Sequence, residues 1–215
     1  MKSKIADLRK SYEKGALDVN AIGQDPFQLF STWFEEAKYS VQIEEANAMS
    51  LSTIGVDGYP KARVVLLKYF SEVGFVFYTN YNSEKGQAMT NNPNVGLTFF
   101  WPPLERQVII KGVAEKEATS VSETYFHSRP RGSQLGALVS PQSEVISDRK
   151  FLEDRLKELE KQYKNIEIPM PNHWGGIIVK PKEIEFWQGR PNRLHDRIRC
   201  QLTDNFKWQI DRLAP

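Results

Sequence analysis

Two hydrophobic periods alternate along this chain, and the points where one gives way to the other mark its elements. Phe27, Phe30, Trp33 and Phe34 recur at helical spacing just after Asp25-Pro26. Asp25 can cap a helix and proline suits its first position, so a helix is predicted to open there. From about Ala48 the period becomes two, and Met49-Ser50-Leu51-Ser52-Thr53-Ile54 reads as a strand. Asp57-Gly58 then supplies a hairpin-turn signal. Residues 63–68 and 74–79 follow as strands, and 63–68 is apolar enough to be expected in the interior. Two more strands are predicted at residues 95–101 and Arg106–Lys116, parted by Pro102-Pro103.

Helical patterning returns at residues 83–91, stopped by Asn92-Pro93. Ser120-Val121-Ser122-Glu123 reads as a capping box opening a helix to about His127, and residues 131–138 form a further short one. Residues 147–163 give the clearest helix, with Leu152, Leu156, Leu159 and Tyr163 on one face. A weaker helical stretch covers residues 5–12 and ends at Gly15. The last third is strand-like again at residues 175–179, 184–188, 197–201 and 206–211. Six or more strands with hairpin-type connections predict a mainly β chain with peripheral helices (α+β), its sheet antiparallel and barrel-like. They do not follow the strand–helix alternation of a parallel nucleotide-binding sheet.

Composition narrows the chemistry. At 215 residues, with no repeat or composition break, the chain is expected to form one sizeable domain. Twenty-nine Lys+Arg against 27 Asp+Glu leave a net charge of +2, so a nucleic-acid surface would need a local basic patch. The one cysteine, Cys200, excludes an intrachain disulfide and any multi-thiolate metal site. The first residues carry no apolar signal region and no run approaches membrane-spanning length, so a cytoplasmic location is expected. Neither glycine-rich phosphate loop occurs, nor a nucleophile elbow, and His127, His173 and His195 are too scattered to suggest zinc. A phosphorylated ligand would have to be held by side chains and helix starts.

The densest candidate chemistry lies in Trp187-Gln188-Gly189-Arg190-Pro191-Asn192-Arg193-Leu194-His195-Asp196-Arg197. Arg193, His195 and Arg197 are spaced by two, so an extended backbone would point all three to one face. Such a face suits a flat anionic ligand, or it is a solvated basic strand edge; spacing alone leaves both open. Arg63-Val64-Val65-Leu66-Leu67-Lys68 brackets an apolar strand with cations, which also describes strand ends reaching water. Tyr78-Thr79-Asn80 and then Ser83-Glu84-Lys85 put hydroxyls, free N–H groups and an ammonium at a helix start, either a phosphate site or ordinary capping. Tyr125, Arg129 and Ser133 lie at helical intervals, though Pro130 interrupts the geometry. Gln107 and Gln142-Ser143 offer amides suited to the edge of a heterocycle.

Together these segments resemble the pyridoxine/pyridoxamine 5′-phosphate oxidase family. The resemblance rests on Glu185-Phe186-Trp187-Gln188, Arg193 to Arg197 and the end Ile210-Asp211-Arg212-Leu213-Ala214-Pro215. Residues 63–68, 77–80, 104–108 and 125–131 match in order, so the likeness runs from about Leu8 to the C-terminus. It implies an FMN-binding split barrel over residues 1–215. A mobile segment would span about residues 1–20, and a dimerisation and active-site region about residues 172–215. It further implies a homodimer with FMN at the interface, no metal, and oxidation of pyridoxine or pyridoxamine 5′-phosphate by O2 with release of H2O2. By matching positions Arg63, Val64, Val65, Leu66, Leu67, Lys68, Tyr78, Thr79, Lys85, Gln107, Gln142, Ser143, Trp187 and Arg197 would meet FMN. Arg9, Tyr12, Lys68, Tyr125, Arg129, Ser133, Arg193 and His195 would meet substrate, with Arg193 and His195 catalytic and Arg9 and Tyr12 in a lid. Arg190 matches no such role and is expected at the surface. Glu84 departs from the pattern, standing where many relatives carry a basic residue beside the FMN-phosphate lysine. Competing readings are another split-barrel flavin oxidoreductase, a non-catalytic flavin or pyridoxal phosphate carrier, and a single-stranded RNA module.

Overall fold

Nine strands hydrogen-bond into a single sheet, and the computed structural model describes them within residues 10–215. They are β1 (Ala48–Ile54), β2 (Pro60–Leu66), β3 (Tyr69–Ser71), β4 (Gly74–Asn80), β5 (Asn94–Trp101), β6 (Arg106–Lys116), β7 (Trp174–Gln188), β8 (Asp196–Leu202) and β9 (Trp208–Leu213). The pairing order is β2-β1-β5-β6-β7-β4-β3, with β8 joining β7 and β9 joining β8. The β3–β4, β4–β7, β7–β8 and β8–β9 pairs are all antiparallel. Five helices accompany them: α1 (Pro26–Lys38), α2 (Glu84–Asn91), α3 (Thr119–Ser128), α4 (Arg131–Val139) and α5 (Arg149–Gln162).

Contacts divide the chain into two compact units. The first holds residues up to Ser50, Gly96–Lys111 and Pro181–Pro215; the second holds Leu51–Val95 and Gly112–Lys180. In the first, Asp25 caps α1 by accepting the Phe27 N–H at 2.9 Å, with Pro26 at the first helical position as predicted. Its buried stripe then meets the sheet: the Phe30 ring lies 5.2 Å from Phe99, and Trp33 lies 5.4 Å from Phe186, edge-on. Each such buried ring contributes about 1.5–3 kcal/mol of transfer free energy. Trp101 is also buried, and its indole N–H is satisfied by the Ala46 carbonyl at 3.0 Å.

In the second unit Phe75, Val76 and Phe77 of β4 are fully buried, in register with Val179, Ile178 and Ile177 of β7. A satellite cluster of Phe126, Leu135, Ile168 and Trp174 receives the apolar face of α5 through Leu156, Leu159 and Tyr163. The hairpin between β1 and β2 closes through Gly58, whose φ of 80° favours glycine.

Several expectations need correction. The 120–123 capping box does not form: α3 starts at Thr119 behind Ala118, without a side-chain cap. Instead Ser120 lies inside the helix, where its carbonyl accepts the Thr124 hydroxyl. The strands expected at 175–179 and 184–188 are one strand, β7, which continues through Pro181. The final strand starts at Trp208, because Phe206 takes a left-handed turn conformation (φ 56°) and is exposed. Residues 63–68 are not interior as a strand: β2 ends the strand order and Val64 is 69% exposed, although Leu67 just beyond it is buried. Of the helix expected at residues 5–12, 5–9 lie outside the described residues and 10–12 have no regular structure. Among the described residues, no helix is long and apolar enough to cross a membrane.

Candidate active site

In the second unit, the turn from β4 to α2 gathers polar groups around one ammonium. Asn80 Oδ1 accepts the Asn82 N–H at 2.8 Å, and Ser83 Oγ caps α2 by accepting the Gly86 N–H at 3.4 Å. The Lys85 ammonium reaches over this turn to Thr79 Oγ1 (3.2 Å), Ser83 Oγ (3.3 Å) and Gln142 Oε1 (3.0 Å). Ser143, in left-handed backbone at φ 77°, accepts the Glu84 N–H through Oγ at 3.2 Å. Arg63 on β2 donates to Thr53 Oγ1 (2.7 Å) and to the Leu51 carbonyl (3.2 Å). Burial lowers the pKa of Lys85, with the charge of Arg63 adding to it, and burial lowers that of Arg63 as well. Two cations that disfavour one another in a partly dry site are suited to a bound anion. Glu84 is engaged by the Lys61 ammonium at 2.6 and 2.8 Å, a partner that sequence reading did not name.

The same unit holds a second cationic site beside the first. Arg129 and Ser133 line a cavity of about 280 Å³ together with Asn80, Gln142 and Trp174. Tyr125, Arg129 and Ser133 do not share one continuous helix. The chain leaves α3 at Ser128, runs extended through Arg129, and re-enters α4 after Pro130. The corner aims the Arg129 guanidinium over the Trp174 ring at 4.7 Å. Its Nη1 is buried and has no hydrogen-bond partner. Tyr125 stands behind, stacked on Tyr78 (centroids 3.9 Å apart, 20° between planes), and Tyr78 stacks on Trp174 at 5.2 Å. Burial, reinforced by the charge of Glu117, pushes the Tyr78 phenol up to about 12, so it stays neutral. A half-buried guanidinium with a buried, unspent N–H, held against an aromatic face beside a hydroxyl, suits an oxyanion.

The first unit carries the cationic face around Trp187. Gly189 follows β7, and a 3-10 turn at Pro191–Arg193 places Asn192 (φ 56°) and Arg193 (φ 61°) in left-handed backbone. The extended face expected for Arg193, His195 and Arg197 therefore does not exist. Arg193 and His195 line a cavity of about 670 Å³ with Lys10, Ser11, Tyr12, Trp187, Arg190 and Asn192. No carboxylate is among these residues. The His195 ring lies 4.6 Å from Trp187 and 5.7 Å from Tyr12. Its Nδ1 accepts the Arg190 backbone N–H at 3.1 Å, so the neutral ring carries its proton on Nε2 and presents a donor. Arg190 itself is half-buried in this wall and donates to the Gly15 carbonyl at 3.0 Å. It is not the surface residue expected.

Arg197 stands apart from that cavity. On β8 it is in register with Trp187, yet its guanidinium forks onto Glu185 at 2.7 and 3.1 Å and donates to the Ala214 carbonyl at 2.9 Å. The hydrogen bond it donates to Glu185 raises its pKa despite partial burial. Cys200 is fully buried, and burial pushes its thiol up to about 12, so it is no nucleophile.

Of the residues nominated for the cofactor, Gln107, Trp187 and Arg197 belong to the first unit. Arg63 through Lys68, Tyr78, Thr79, Lys85, Gln142 and Ser143 belong to the second. Gln107 is half-buried on β6 opposite the face that buries Val108 and Ile110. Lys68 is exposed just beyond β2, its backbone N–H given to the Val76 carbonyl at 2.8 Å. Arg9 lies outside the described residues. Sequence reading gave no individual role to Trp174, the backbone of Arg190 or the buried Glu105, because each acts through a contact distant in sequence or through the main chain.

Comparison with known proteins adds an independent finding. Residues 35–163 match the family model described as pyridoxamine 5′-phosphate oxidase. Residues 174–215 match one described as the pyridoxine 5′-phosphate oxidase C-terminal dimerisation region. A pyridoxine/pyridoxamine 5′-phosphate oxidase of Flavobacterium psychrophilum is 59% identical over 211 residues, covering 98% of this chain and 99% of that one. A relative of the same name from Leptospira interrogans is 53% identical over 215 residues, covering both chains in full. Among solved structures, PhzG from Burkholderia lata 383, in complex with tetrahydrophenazine-1-carboxylic acid, matches with a TM-score of 0.87 at 25% identity. That match covers 96% of this chain and 100% of that one. A pyridoxamine 5′-phosphate oxidase-related, FMN-binding protein from Nostoc punctiforme matches at 0.70 and 14% identity over 88% of this chain and 98% of that one, a likeness of fold. The fold is thus the split barrel that the resemblance implied, built on the antiparallel sheet that the strand pattern predicted.

Proposed function

The chain belongs to the pyridoxamine 5′-phosphate oxidase family, and on that premise we propose that it oxidises pyridoxine or pyridoxamine 5′-phosphate to pyridoxal 5′-phosphate. The observation that carries the reading is Arg129: half-buried, stacked on Trp174 and left with a buried, unpartnered Nη1 in a cavity beside Ser133. A substrate phosphate satisfies that guanidinium. It also supplies binding energy remote from the reacting carbon, which orients the ring. Lys68 and Tyr125 complete the phosphate site in this reading.

The residues present fit FMN as cofactor. Arg63, Lys85, Gln142 and Ser143 form the cationic, hydroxyl-bearing site for its phosphate. Val64, Val65, Leu66, Leu67, Tyr78, Thr79, Gln107, Trp187 and Arg197 would hold the rest. When bound, FMN would supply the hydride acceptor for oxidation at the substrate C4′, with O2 as the final acceptor, reduced to H2O2. Arg193 and His195 are the catalytic pair. Arg193 sits at the cavity wall as a cation, and the Nε2–H of His195 is the donor that steers the substrate oxygen and ring. Tyr12 and Arg9 close over the substrate. With the amine substrate, hydrolysis of the product imine releases ammonia.

The same reading makes the chain a cytoplasmic homodimer with FMN at its interface and residues 1–215 acting as one functional domain. The description of the model matching residues 174–215 supports the dimer. The test is direct. Purified protein should be yellow with flavin absorbance, and an oxygen electrode should record O2 uptake with pyridoxine 5′-phosphate but not with unphosphorylated pyridoxine. Colour without uptake would make it a carrier; equal uptake with both compounds would sink the phosphate assignment of Arg129.

A further inference from the structure

Glu105 is an unusual place for a carboxylate. It is 2% exposed, and it ends the 3-10 turn after β5 in left-handed backbone (φ 55°, ψ 38°). A buried carboxylate is costly unless hydrogen bonds replace its water, and left-handed backbone at a non-glycine residue is strained as well. Both costs are met by connections within the first unit. Through Oε2 the side chain accepts the Glu13 N–H at 2.8 Å and the Lys14 N–H at 3.0 Å, and Oε1 pairs with the Lys10 ammonium at 3.1 Å. Through its own carbonyl it accepts the Gly189 N–H at 2.7 Å and the Gln188 amide at 3.2 Å. One residue therefore ties the segment 10–14 to the turn that follows Trp187.

Tyr12 stands between those ties. Its ring lies 5.7 Å from both Trp187 and His195. It packs so closely on Gly189 that a Cβ there would come within 2.8 Å of its own Cβ and Cγ. Lys14 adds a bond from its ammonium to the Pro103 carbonyl at 2.6 Å, on the same side as Glu105. Nothing else among the described residues accepts the Glu13 and Lys14 N–H groups, so without Glu105 the segment loses its fixed point nearest Tyr12.

We propose that Glu105 is a positioning residue for substrate binding: its carboxylate anchors segment 10–14 so that Lys10 and Tyr12 form one wall of the cavity holding Arg193 and His195. The inference rests on the substrate reading given above and assigns that site a residue outside its walls. A carboxylate suits the task because it accepts two backbone N–H groups and an ammonium together. Glutamine at the same position is nearly isosteric but presents one weaker acceptor and no charge.

The experiment uses the FMN-loaded enzyme carrying Glu105→Gln, with Glu13→Pro as the second variant. The proline deletes one donor from the exposed side of the contact and leaves Glu105 and its turn intact. Both should raise KM for pyridoxine 5′-phosphate by about tenfold while kcat and flavin content stay within about twofold, the loss of one to two charge-assisted hydrogen bonds. Trypsin cleavage after Lys10 and Lys14 should accelerate by a similar factor. In a Tyr12→Ala background, Glu105→Gln should add less than about twofold to KM, since the anchored group is already gone. Unchanged KM and unchanged cleavage in both variants would overturn the proposal. A fall in kcat or flavin content with KM unchanged would overturn it too, reducing Glu105 to a fold-stabilising residue. If the wild-type enzyme turned over no pyridoxine 5′-phosphate, the substrate reading would fail. The cleavage rates need no substrate and would still show whether Glu105 anchors the segment.

Discussion

Arg129 and Ser133 reach one cavity because the helix breaks at Pro130 between them, and Arg129 lies over the Trp174 ring, where the proposed reading puts the substrate phosphate. A planar guanidinium can stack there and still aim an N–H at a phosphate; an ammonium cannot do both. Arg129→Ala should therefore lower kcat/KM for the phosphorylated substrate by roughly one to two orders of magnitude, and Arg129→Lys should recover little of it. Steady-state kinetics beside a flavin absorbance spectrum will separate this from cofactor loss. Lys61 and Glu84 set a weaker effect, because both are about half exposed (58% and 51%). Removing the ammonium by Lys61→Met leaves the Glu84 carboxylate unbalanced near Lys85, and FMN Kd by fluorescence quenching should rise up to about fivefold. Glu84→Gln in that background should restore it. Glu105 sets a pH limit. Burial acts to raise its pKa, but hydrogen bonds from the Lys14 and Glu13 N–H groups and from Lys10 outweigh that and hold it below the usual carboxylate range. A pKa depressed on folding contributes stability above the unfolded value, and this is lost as pH falls through the folded one. The Tm gap between wild type and Glu105→Gln should persist at pH 5 and close only in more acid solution.

At the scale of elements, the short turn from Pro191 to His195 decides the chemistry of the first unit. It turns Arg193 and His195 into the cavity and separates them from Arg197, which Glu185 neutralises. Arg193→Ala or His195→Ala should cut kcat/KM by at least about tenfold with FMN retained, whereas Arg197→Ala should disturb flavin content. Stopped-flow reduction of bound flavin by substrate reads the difference. Much of this was legible in sequence. The alternation from Arg106 to Lys116 gives β6 with its bounds, and Asp25-Pro26 gives the start of α1, because local patterns govern both. The spacing of Arg193, His195 and Arg197 misled, since two consecutive left-handed residues abolish the extended geometry that the argument assumed. The Ser120 capping box misled because the helix starts two residues earlier, capped at Ala118 without a side-chain bond. Glu105 and Trp174 carried no local signal at all: what they do depends on residues tens of positions away.

For the whole molecule, the two groups of candidate residues fall in different compact units, each interrupted in sequence by the other. The proposed reading draws residues from each, and residues 174–215 match a model described as a dimerisation region. Sedimentation should give a particle of twice the 24.8 kDa chain mass. If FMN lies at the interface, dilution that dissociates the dimer should release flavin in parallel, by mass action. Flavin retained on a monomer would separate cofactor binding from assembly. Patterning made the mainly β architecture legible, but assembly came only through resemblance, because near-neutral net charge and ordinary composition are silent on it.

The segment from Glu13 to Leu17 is held almost wholly by its main chain. Glu105 takes the N–H groups of Glu13 and Lys14, Arg190 the carbonyl of Gly15, Asp196 the N–H of Leu17, and Arg212 its carbonyl. Apart from the Lys14 ammonium, which bonds the Pro103 carbonyl, and the buried Leu17, the side chains here, those of residues 13 and 16, are spectators to that docking. Natural variation can therefore run freely through them while the four residues that grip the backbone stay put. A stretch that looks unconserved in relatives would, on this account, still be structurally obligatory, and a disruptive allele there would announce itself as a proline and not as a change of charge or size.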